Sequence, residues 1–386
     1  MRRRTLVTAL VGGLSGCARL GGSTASDVRC SSDASDASSS SQATGAWPRP
    51  HFDSGNTGFN PDATGVTACP EIRWSYSIGE TTVGSTVVAG GTLFVASFPN
   101  MLRAFDLATG DLRWSVTLNG RGYTPVVHDG VVYVGGGTHL DAVDIETRSI
   151  RWSTEVGRSN GPAFVDDMVI SAGGDGVVRA ISIDDGSIEW QYDAGRTENQ
   201  RFRAPPAVTG GTVVAGHENG NLYALDLASG ELRWRRDLGA HIESAPAVVS
   251  DVVYANADQP FALDAETGKT LWRGPQTWGE TLGAPAVADA VYVTAGRTLE
   301  SMKLRALDLE TGEEHWSTKV GLPEASPAVA AGSVYVGLAG TFYAFDAMDG
   351  TRQWSIDLPT DIIATPAVLS GLVVITDGDG NLFALG

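Results

Sequence analysis

Short runs of β-branched and aromatic residues alternate with Gly, Asn and Asp along most of the chain. Residues 204–234 show the pattern, with the runs Ala-Pro-Pro-Ala-Val, Gly-Gly-Thr-Val-Val-Ala-Gly, Asn-Gly-Asn-Leu-Tyr-Ala-Leu-Asp and Ala-Ser-Gly-Glu-Leu-Arg-Trp in that order. Each run has the composition of a β-strand, and none has the 3.6-residue period of a helix. The pattern therefore predicts units of four short strands joined by tight turns.

Tryptophan ends each of these units, and it gives the chain a repeat. The tryptophans follow one another at intervals of 38 to 44 residues: Trp74, Trp114, Trp152, Trp190, Trp234, Trp272, Trp316 and Trp354. A period of this length with four strands per unit is typical of the blades of a β-propeller. The runs are too short for the helices of a solenoid.

The residues that recur in the units have local physical roles. Asp226 opens the turn before a fourth strand, where its carboxylate can accept backbone N–H groups. Gly230 supplies the positive φ of that reversal, and Pro246 begins an innermost strand, where a missing N–H costs little. Trp234 closes an outermost strand, and its large ring suits packing between neighbouring blades. We therefore predict an all-β fold with four antiparallel strands per blade.

One recurring motif resembles that of a known family. The motif Ala104-x-Asp106-x-x-Thr109-Gly110-x-x-x-Trp114 resembles the tryptophan-docking motif of the PQQ-like (pyrroloquinoline quinone repeat) β-propellers. Good copies end at Trp234, Trp272 and Trp316. The pattern is broken by Arg148 at the Gly position, by Asp349 at the Thr position and across residues 181–186. The resemblance covers about residues 46–386 and implies a propeller over that range.

The two ends of the repeat predict how the ring closes. After Trp354, residues 364–368, 372–375 and 381–385 form three strands with no fourth. Residues 71–78, around Trp74, have the pattern of a fourth strand with no blade before it. Pairing the two parts would remove exposed sheet edges. We expect an eight-bladed β-propeller whose last blade is closed by the N-terminal strand 71–78, with seven blades as the alternative if that strand lies elsewhere.

The N-terminus has the features of an export signal. Arg3-Arg4-Thr5-Leu6-Val7 resembles a twin-arginine signal, and the apolar run 6–14 is too short to span a membrane. Leu14-Ser15-Gly16-Cys17 resembles a lipobox, in which Cys17 receives a lipid; a cleaved signal with an incidental Cys is the alternative. We assign residues 1–17 to this signal peptide and the Ser-rich residues 18–45 to a flexible tether. The protein is then extracytoplasmic and anchored to the outer face of the cell membrane.

Charge and cysteine content narrow the possibilities further. The net charge is −18 and the pI is about 4.6, so the surface repels nucleic acid. Only Lys269, Lys303 and Lys319 are lysines, and an acidic, lysine-poor surface resembles proteins of haloarchaea, in which salt screens the repulsion between carboxylates. Acidity without a halophilic host is the alternative. Cys30 and Cys69 could pair, and the sequence leaves this open.

The family resemblance raises the question of catalysis. Quinoprotein dehydrogenases of this family bind pyrroloquinoline quinone (PQQ) and calcium over the centre of the ring, but this chain lacks their adjacent cysteines. Residues 157–161 match G-x-S-x-G but join strands of neighbouring blades, whereas a nucleophile elbow needs a strand–turn–helix. Asp377 begins a calcium-like run that lacks the later Glu and fits a hairpin turn better. We expect no catalytic residue, metal or cofactor, with a PQQ-dependent alcohol or sugar dehydrogenase as the alternative.

The remaining place for a function is the face of the ring that carries the loops between blades. Its candidate partner-binding residues are Arg121, Tyr123, Arg201, Arg203, His241 and Glu243. Arg201 and Arg203, together with Arg196, could bind a carboxylate or an acidic peptide; ordinary solvated loop charge is the alternative. The chain is similar to the BamB-type lipoproteins of this family, which implies a non-enzymatic scaffold that binds envelope or cell-surface proteins. We expect it to be a monomer.

Overall fold

The computed structural model describes residues 30–32, 44–80, 84–159, 161–195, 201–276, 283–296, 301–321, 325–338, 340–362 and 364–386, and the backbone alone for residues 30–32. Over these residues the chain forms eight β-sheets and no helix. The innermost strands of successive sheets contact one another, and the ring closes where Thr365 N donates to Ser85 Oγ at 3.2 Å. The all-β, eight-bladed propeller predicted from the sequence is confirmed.

Three strands precede the first complete blade: β1 (Cys30–Ser32), β2 (Phe59–Asn60) and β3 (Ile72–Ser77). Blade 1 contains β4 (Val87–Ala89), β5 (Thr92–Ser97), β6 (Met101–Asp106) and β7 (Leu112–Thr117). Blade 2 contains β8 (Pro125–His128), β9 (Val131–Gly136), β10 (His139–Asp144) and β11 (Ser149–Glu155). Blade 3 contains β12 (Ala163–Val165), β13 (Met168–Ala172), β14 (Val177–Ser182) and β15 (Ile188–Asp193). Blade 4 contains β16 (Ala207–Thr209), β17 (Thr212–Gly216), β18 (Asn221–Asp226) and β19 (Leu232–Asp237).

The second half of the ring repeats this arrangement. Blade 5 contains β20 (Ala247–Val249), β21 (Val252–Asn256), β22 (Pro260–Asp264) and β23 (Thr270–Arg273). Blade 6 contains β24 (Ala286–Val287), β25 (Val291–Ala295), β26 (Lys303–Leu307) and β27 (Glu314–Lys319). Blade 7 contains β28 (Ala328–Ala330), β29 (Ser333–Leu338), β30 (Thr341–Asp346) and β31 (Arg352–Asp357). Blade 8 contains β32 (Ala367–Leu369), β33 (Leu372–Thr376) and β34 (Asn381–Leu385), with β3 as its fourth strand.

The closure of blade 8 by the N-terminal strand is confirmed. Strand β3 pairs with β34 in antiparallel register, from Ile72 opposite Leu385 to Ser77 opposite Asn381. The orphan strand around Trp74 is therefore the outermost strand of the last blade, and the ring has eight blades rather than seven.

The antiparallel strands define two faces of the ring. The turn face carries the turns between first and second strands, such as residues 209–212, and between third and fourth strands, such as residues 226–232. The loop face carries the turns between second and third strands and the connections between blades, such as residues 118–124 and 201–206.

Tryptophan side chains hydrogen-bond most blades to the next one, and Trp354 hydrogen-bonds blade 7 to Val66, which precedes β3. Seven indole N–H groups, those of Trp74, Trp152, Trp190, Trp234, Trp272, Trp316 and Trp354, donate to a backbone carbonyl outside their own blade at 2.8–2.9 Å. Trp190 donates to Leu227 O and lies against Gly230, whose φ is +72°. A Cβ on Gly230 would lie 2.5 Å from Trp190 Cε3, so the close approach of the ring needs glycine here.

The Asp of the motif has the turn role that its sequence position predicts. Asp226 Oδ1 accepts the backbone N–H of Ala228 at 3.1 Å and that of Ser229 at 2.9 Å. Hydrogen bonds from Arg233 and from Ser229 lower the pKa of Asp226 to about 2.

Blade 2 departs from the docking pattern at Arg148. This residue has a φ of +58°, a left-handed conformation that is unfavourable for a side chain with a Cβ. Trp114 packs in the core between blades 1 and 2, but its indole N–H has no acceptor among the described residues. The blade 1–2 junction therefore lacks the hydrogen bond that the other motif tryptophans make.

Part of the segment predicted to be a tether is a strand. Cys30–Ser32 pairs in antiparallel register with β31 and extends the sheet of blade 7 at its outer edge. The rest of residues 18–43 and the lipobox at Cys17 lie outside the described residues. Cys69 is disulfide-bonded, and neither Cys17 nor Cys30 is among the residues whose side chains are described.

Candidate functional site

Residues 44–66, which we call the axial segment, occupy the centre of the ring. The segment enters beside blade 8 on the turn face, where Thr44 pairs with Ser370 in an isolated bridge. It leaves at the same place, since Thr64 N donates to Ser370 Oγ at 3.1 Å and Gly371 N donates to Gly65 O at 3.1 Å. The segment is therefore a loop inserted into the ring from one face.

Along its course the axial segment hydrogen-bonds through its backbone to the innermost strands of six blades. In each of these blades an innermost-strand N–H donates to a carbonyl of the segment at 2.7–2.9 Å. The donors are Val88, Val127, Val208, Val248, Val287 and Val329, and the acceptors, in the same order, are Trp47, Pro48, Ser54, Gly55, Thr57 and Gly58. The order along the segment is the order of the blades, so the segment circles the axis.

Side chains of the axial segment hydrogen-bond to the innermost strands of the other two blades. Arg49 Nη1 donates to Phe164 O of blade 3 at 2.6 Å. Asn60 Nδ2 donates to Val368 O of blade 8 at 2.9 Å and to Ala46 O at 3.2 Å, which links the end of the circuit to its start. Without the segment, these innermost strands would present unpaired backbone groups at the centre of the ring.

The axial segment carries polar side chains that are buried on the axis. Asn56 is 4% exposed, and its Nδ2 donates to Pro206 O at 3.1 Å and to Pro246 O at 3.2 Å. Burial lowers the pKa of His51 to about 4, so the imidazole is neutral at pH 7. Burial raises the pKa of Asp53, while hydrogen bonds from Thr57 oppose the shift.

Sequence reasoning missed the role of this segment. It placed residues from 46 onward in the propeller but assigned nothing between the tether and the strand around Trp74. The available signal was Trp47, a tryptophan that lies outside the repeat, followed by a stretch rich in Gly, Asn and Asp that is too short for a blade.

The quinone and calcium implied by the family resemblance do not fit the described residues. At the level of the innermost strands, the axis is filled by Trp47, His51, Asn56 and Asn60, all buried. The carboxylate of Asp53 already accepts hydrogen bonds from Thr57. Within the described ranges, no group of three or more His, Cys, Asp or Glu side chains is placed to hold a metal ion. We therefore assign no residue to either group.

Two motifs considered from the sequence are loop structures. Ser159 is buried and pairs with Gly173 in an isolated bridge, in the connection between two strands of neighbouring blades. Asp377 Oδ1 accepts the backbone N–H of Asp379 at 3.0 Å and that of Asn381 at 2.8 Å, as in a turn.

Of the residues predicted on the loop face, Arg201 and Arg203 contact a buried carboxylate. The side chain of Glu218 is only 3% exposed and forms ion pairs with the Nε atoms of both arginines. Arg201 N also donates to Glu218 Oε2 at 3.0 Å. The positive charge of these two arginines, which the sequence predicted to bind a partner, is thus partly neutralised by a carboxylate of the same chain. Arg196 lies outside the described residues.

Arg121 and Tyr123 lie in the connection between blades 1 and 2 and contact other loop-face residues. The Arg121 guanidinium lies 4.4 Å from the centre of the Phe98 ring. The Tyr123 hydroxyl accepts a hydrogen bond from Arg158 Nη2 at 2.8 Å. The structure therefore brings Arg121, Tyr123 and Arg158 onto the same part of the loop face.

His241 and Glu243 lie on the loop face between blades 4 and 5. Both are exposed, and Ile242 between them is buried. In the described part of the chain, no hydrogen bond or ion pair joins them to Arg121 or Arg201.

The comparisons agree with this fold. The family model described as outer membrane protein assembly factor BamB matches residues 66–157, 100–204, 195–327 and 300–386. A curated relative, the outer membrane protein assembly factor BamB of Moranella endobia, is 29% identical over 178 residues, which is 45% of this chain and 38% of that protein. The match therefore spans about two fifths of the relative's length.

Solved structures of low identity share the architecture. BamB from Moraxella catarrhalis superposes with a TM-score of 0.67 at 20% identity, over 82% of this chain and 99% of that one. Quinohemoprotein alcohol dehydrogenase from Comamonas testosteroni gives 0.72 at 14% identity, over 88% and 80%. At these identities the likeness shows the fold alone.

The described residues contain no helix that could cross a membrane. The family model covers residues 66–386 through its overlapping matches, and the eight-bladed ring with its repeated tryptophan motif occupies the same range. The chain therefore belongs to the PQQ-like β-propeller family described as outer membrane protein assembly factor BamB.

Proposed function

We propose that this chain is an exported, lipid-anchored β-propeller that acts as a non-enzymatic, protein-binding scaffold at the cell surface. One observation carries the proposal: the chain's own axial segment occupies the centre of the ring, the region over which the family resemblance implies a quinone site. The motif tryptophans and glycines are used in docking one blade to the next. The exposed loops between blades are the surface that remains for a partner.

Membership of the family described as outer membrane protein assembly factor BamB supports binding to envelope or cell-surface proteins. The twin-arginine and lipobox patterns support export and a lipid on Cys17, at the outer face of the cell membrane. The acidic, lysine-poor composition supports a haloarchaeal host, and a net charge of −18 favours a monomer without nucleic acid.

Site-specific photo-crosslinking in intact cells tests the scaffold. A photoreactive residue at His241 or Glu243, both exposed on the loop face, is expected to crosslink to a discrete set of envelope proteins. The same residue at Met348, which is 82% exposed on the turn face, is the matched control. Equal or absent crosslinking from the two faces would contradict the proposal.

In the same cells, Cys17→Ala is expected to move the protein from the membrane fraction to the medium.

A PQQ-dependent dehydrogenase is the second candidate function, since the chain shares its fold with a quinohemoprotein alcohol dehydrogenase. Dye-linked dehydrogenase activity, measured with alcohols and sugars after addition of PQQ and calcium, decides between the two. Saturable turnover that depends on the quinone would overturn the scaffold proposal.

A further inference from the structure

We propose that Arg121 and Arg158 together bind an acidic segment of a partner protein, an inference that rests on the proposed scaffold function. Both residues are exposed on the loop face, in successive connections between blades. Each guanidinium lies over an aromatic ring. Neither has a carboxylate partner among the described residues.

Arg121 is held in place by its neighbours. Its guanidinium lies 4.4 Å from the centre of the half-buried Phe98 ring. Its backbone lies close to the second turn of blade 2, where a Cβ on Gly137 would be 2.8 Å from Arg121 N. A cation over an aromatic face is attracted to it and loses part of its rotational freedom before any ligand arrives. The N–H groups at the edge of the guanidinium stay available to a ligand.

Arg158 is oriented in a similar way by Tyr123. Its guanidinium carbon lies 5.8 Å from the Tyr123 ring centre, and Nη2 donates to the Tyr123 hydroxyl at 2.8 Å. Its backbone is fixed as well, since Gly174 N donates to Arg158 O at 2.6 Å. This leaves most of the five N–H donors of the guanidinium without a protein partner in the described part of the chain.

Several other exposed arginines of the ring have a carboxylate partner, which this pair lacks among the described residues. Arg113 lies 2.7 Å from Asp106 and Arg233 lies 2.6 Å from Asp226. Arg201 and Arg203 contact Glu218. Intramolecular pairing therefore recurs in this acidic chain. Arg273 also lies over a ring without a carboxylate partner in the described ranges, but Arg121 and Arg158 differ from it because they lie in successive connections between blades.

The chemistry of the pair indicates the kind of partner. Guanidinium groups bind carboxylates with paired, charge-assisted hydrogen bonds, and Arg and Tyr are enriched where protein interfaces gain most of their binding energy. A net charge of −18 repels extended polyanions such as nucleic acid or an anionic lipid surface, whereas a short acidic segment can contact this local patch alone. The partner is therefore a protein segment with neighbouring Asp or Glu side chains.

Fluorescence anisotropy with a fluorescein-labelled decaglutamate peptide tests this site in the purified full chain, at an ionic strength of about 0.1 M. We expect saturable binding that weakens at least about tenfold in the double variant Arg121→Gln/Arg158→Gln. The matched control is Arg235→Gln/Arg236→Gln, which removes the same charge from exposed positions on the outermost strand of blade 4. The control is expected to bind within about twofold of the parent chain. Far-ultraviolet circular dichroism checks that both variants fold.

Three outcomes would overturn the site. If both double variants bind the peptide equally more weakly than the parent chain does, the affinity depends only on the overall charge of the protein. Absence of saturable binding by the parent chain means that the pair does not bind carboxylates. Binding to phosphatidylglycerol vesicles without binding to the peptide means that the site is for lipid. None of these results changes the crosslinking expected from His241 and Glu243, so a failure of this site is distinguishable from a failure of the scaffold.

Discussion

Replacement of Gly230 by alanine is expected to weaken the docking of blade 3 onto blade 4. Gly230 has a φ of +72°, and a Cβ there would lie 2.5 Å from Trp190 Cε3. The added methyl group must therefore displace the indole ring, which is buried and donates to Leu227 O at 2.8 Å. Gly210 is the matched control in the same blade, because its φ is +49° and a Cβ there meets nothing within 4 Å.

The structure sets the size of the expected effect. The left-handed conformation costs a residue with a Cβ about 1 kcal/mol, and both variants carry this cost. Gly230→Ala also loses the indole hydrogen bond, for about 1 kcal/mol, and part of the ring's packing, for about 1 kcal/mol. We therefore expect the free energy of unfolding to fall by about 3 kcal/mol in Gly230→Ala and by about 1 kcal/mol in Gly210→Ala.

Urea unfolding followed by circular dichroism measures both variants against the parent chain. The difference of about 2 kcal/mol between them isolates the tryptophan contact from backbone strain. If Gly210→Ala destabilises the chain as much as Gly230→Ala does, the glycine of the motif acts only through its φ and the docking argument is refuted.

Three further predictions concern other parts of the ring. Arg148→Gly is expected to raise the free energy of unfolding by about 1 kcal/mol, because it removes the strain of a left-handed residue with a Cβ; a lower urea midpoint would contradict this. Asn60→Ala is expected to cost about 2 kcal/mol in urea unfolding, since the buried carbonyl of Val368 and the partly buried carbonyl of Ala46 lose their donor. A cost under about 1 kcal/mol would mean that the hydrogen bonds joining the end of the axial segment to its start are not needed. The pKa of His51 is about 4 in the folded chain and about 6.5 in the unfolded chain, so between these pH values the unfolded state binds one more proton. The free energy of unfolding therefore falls by up to about 3 kcal/mol as the pH drops from about 6.5 to 4. His51→Gln is expected to remove this part of the pH dependence, and an unchanged profile of thermal midpoint against pH would refute it.

The sequence by itself determined the blades and their number. The repeated motif consists of an Asp that accepts turn N–H groups, a Gly with positive φ and a Trp in the outermost strand. Each of these residues contacts its own blade or the next one, so, apart from Trp354 at the closure of the ring, its partners lie within about 40 residues in the sequence. The three-strand remainder after Trp354 and the orphan strand around Trp74 likewise determined the closure, because an unpaired sheet edge is unfavourable.

Only the tertiary structure decided what lies at the centre of the ring and which arginines are paired. The axial segment has no repeat, and its partners are backbone groups of eight strands that are far apart in sequence, such as Val368 for Asn60. No local pattern encodes such contacts, since every residue offers the same backbone donor and acceptor. The sequence alone does not distinguish the pair Arg201 and Arg203 from the pair Arg121 and Arg158. In the folded ring, Glu218 lies beside Arg201 and Arg203, whereas aromatic rings lie beneath Arg121 and Arg158. The charge left for a partner follows from that placement, because a guanidinium paired with a carboxylate has little net charge to offer.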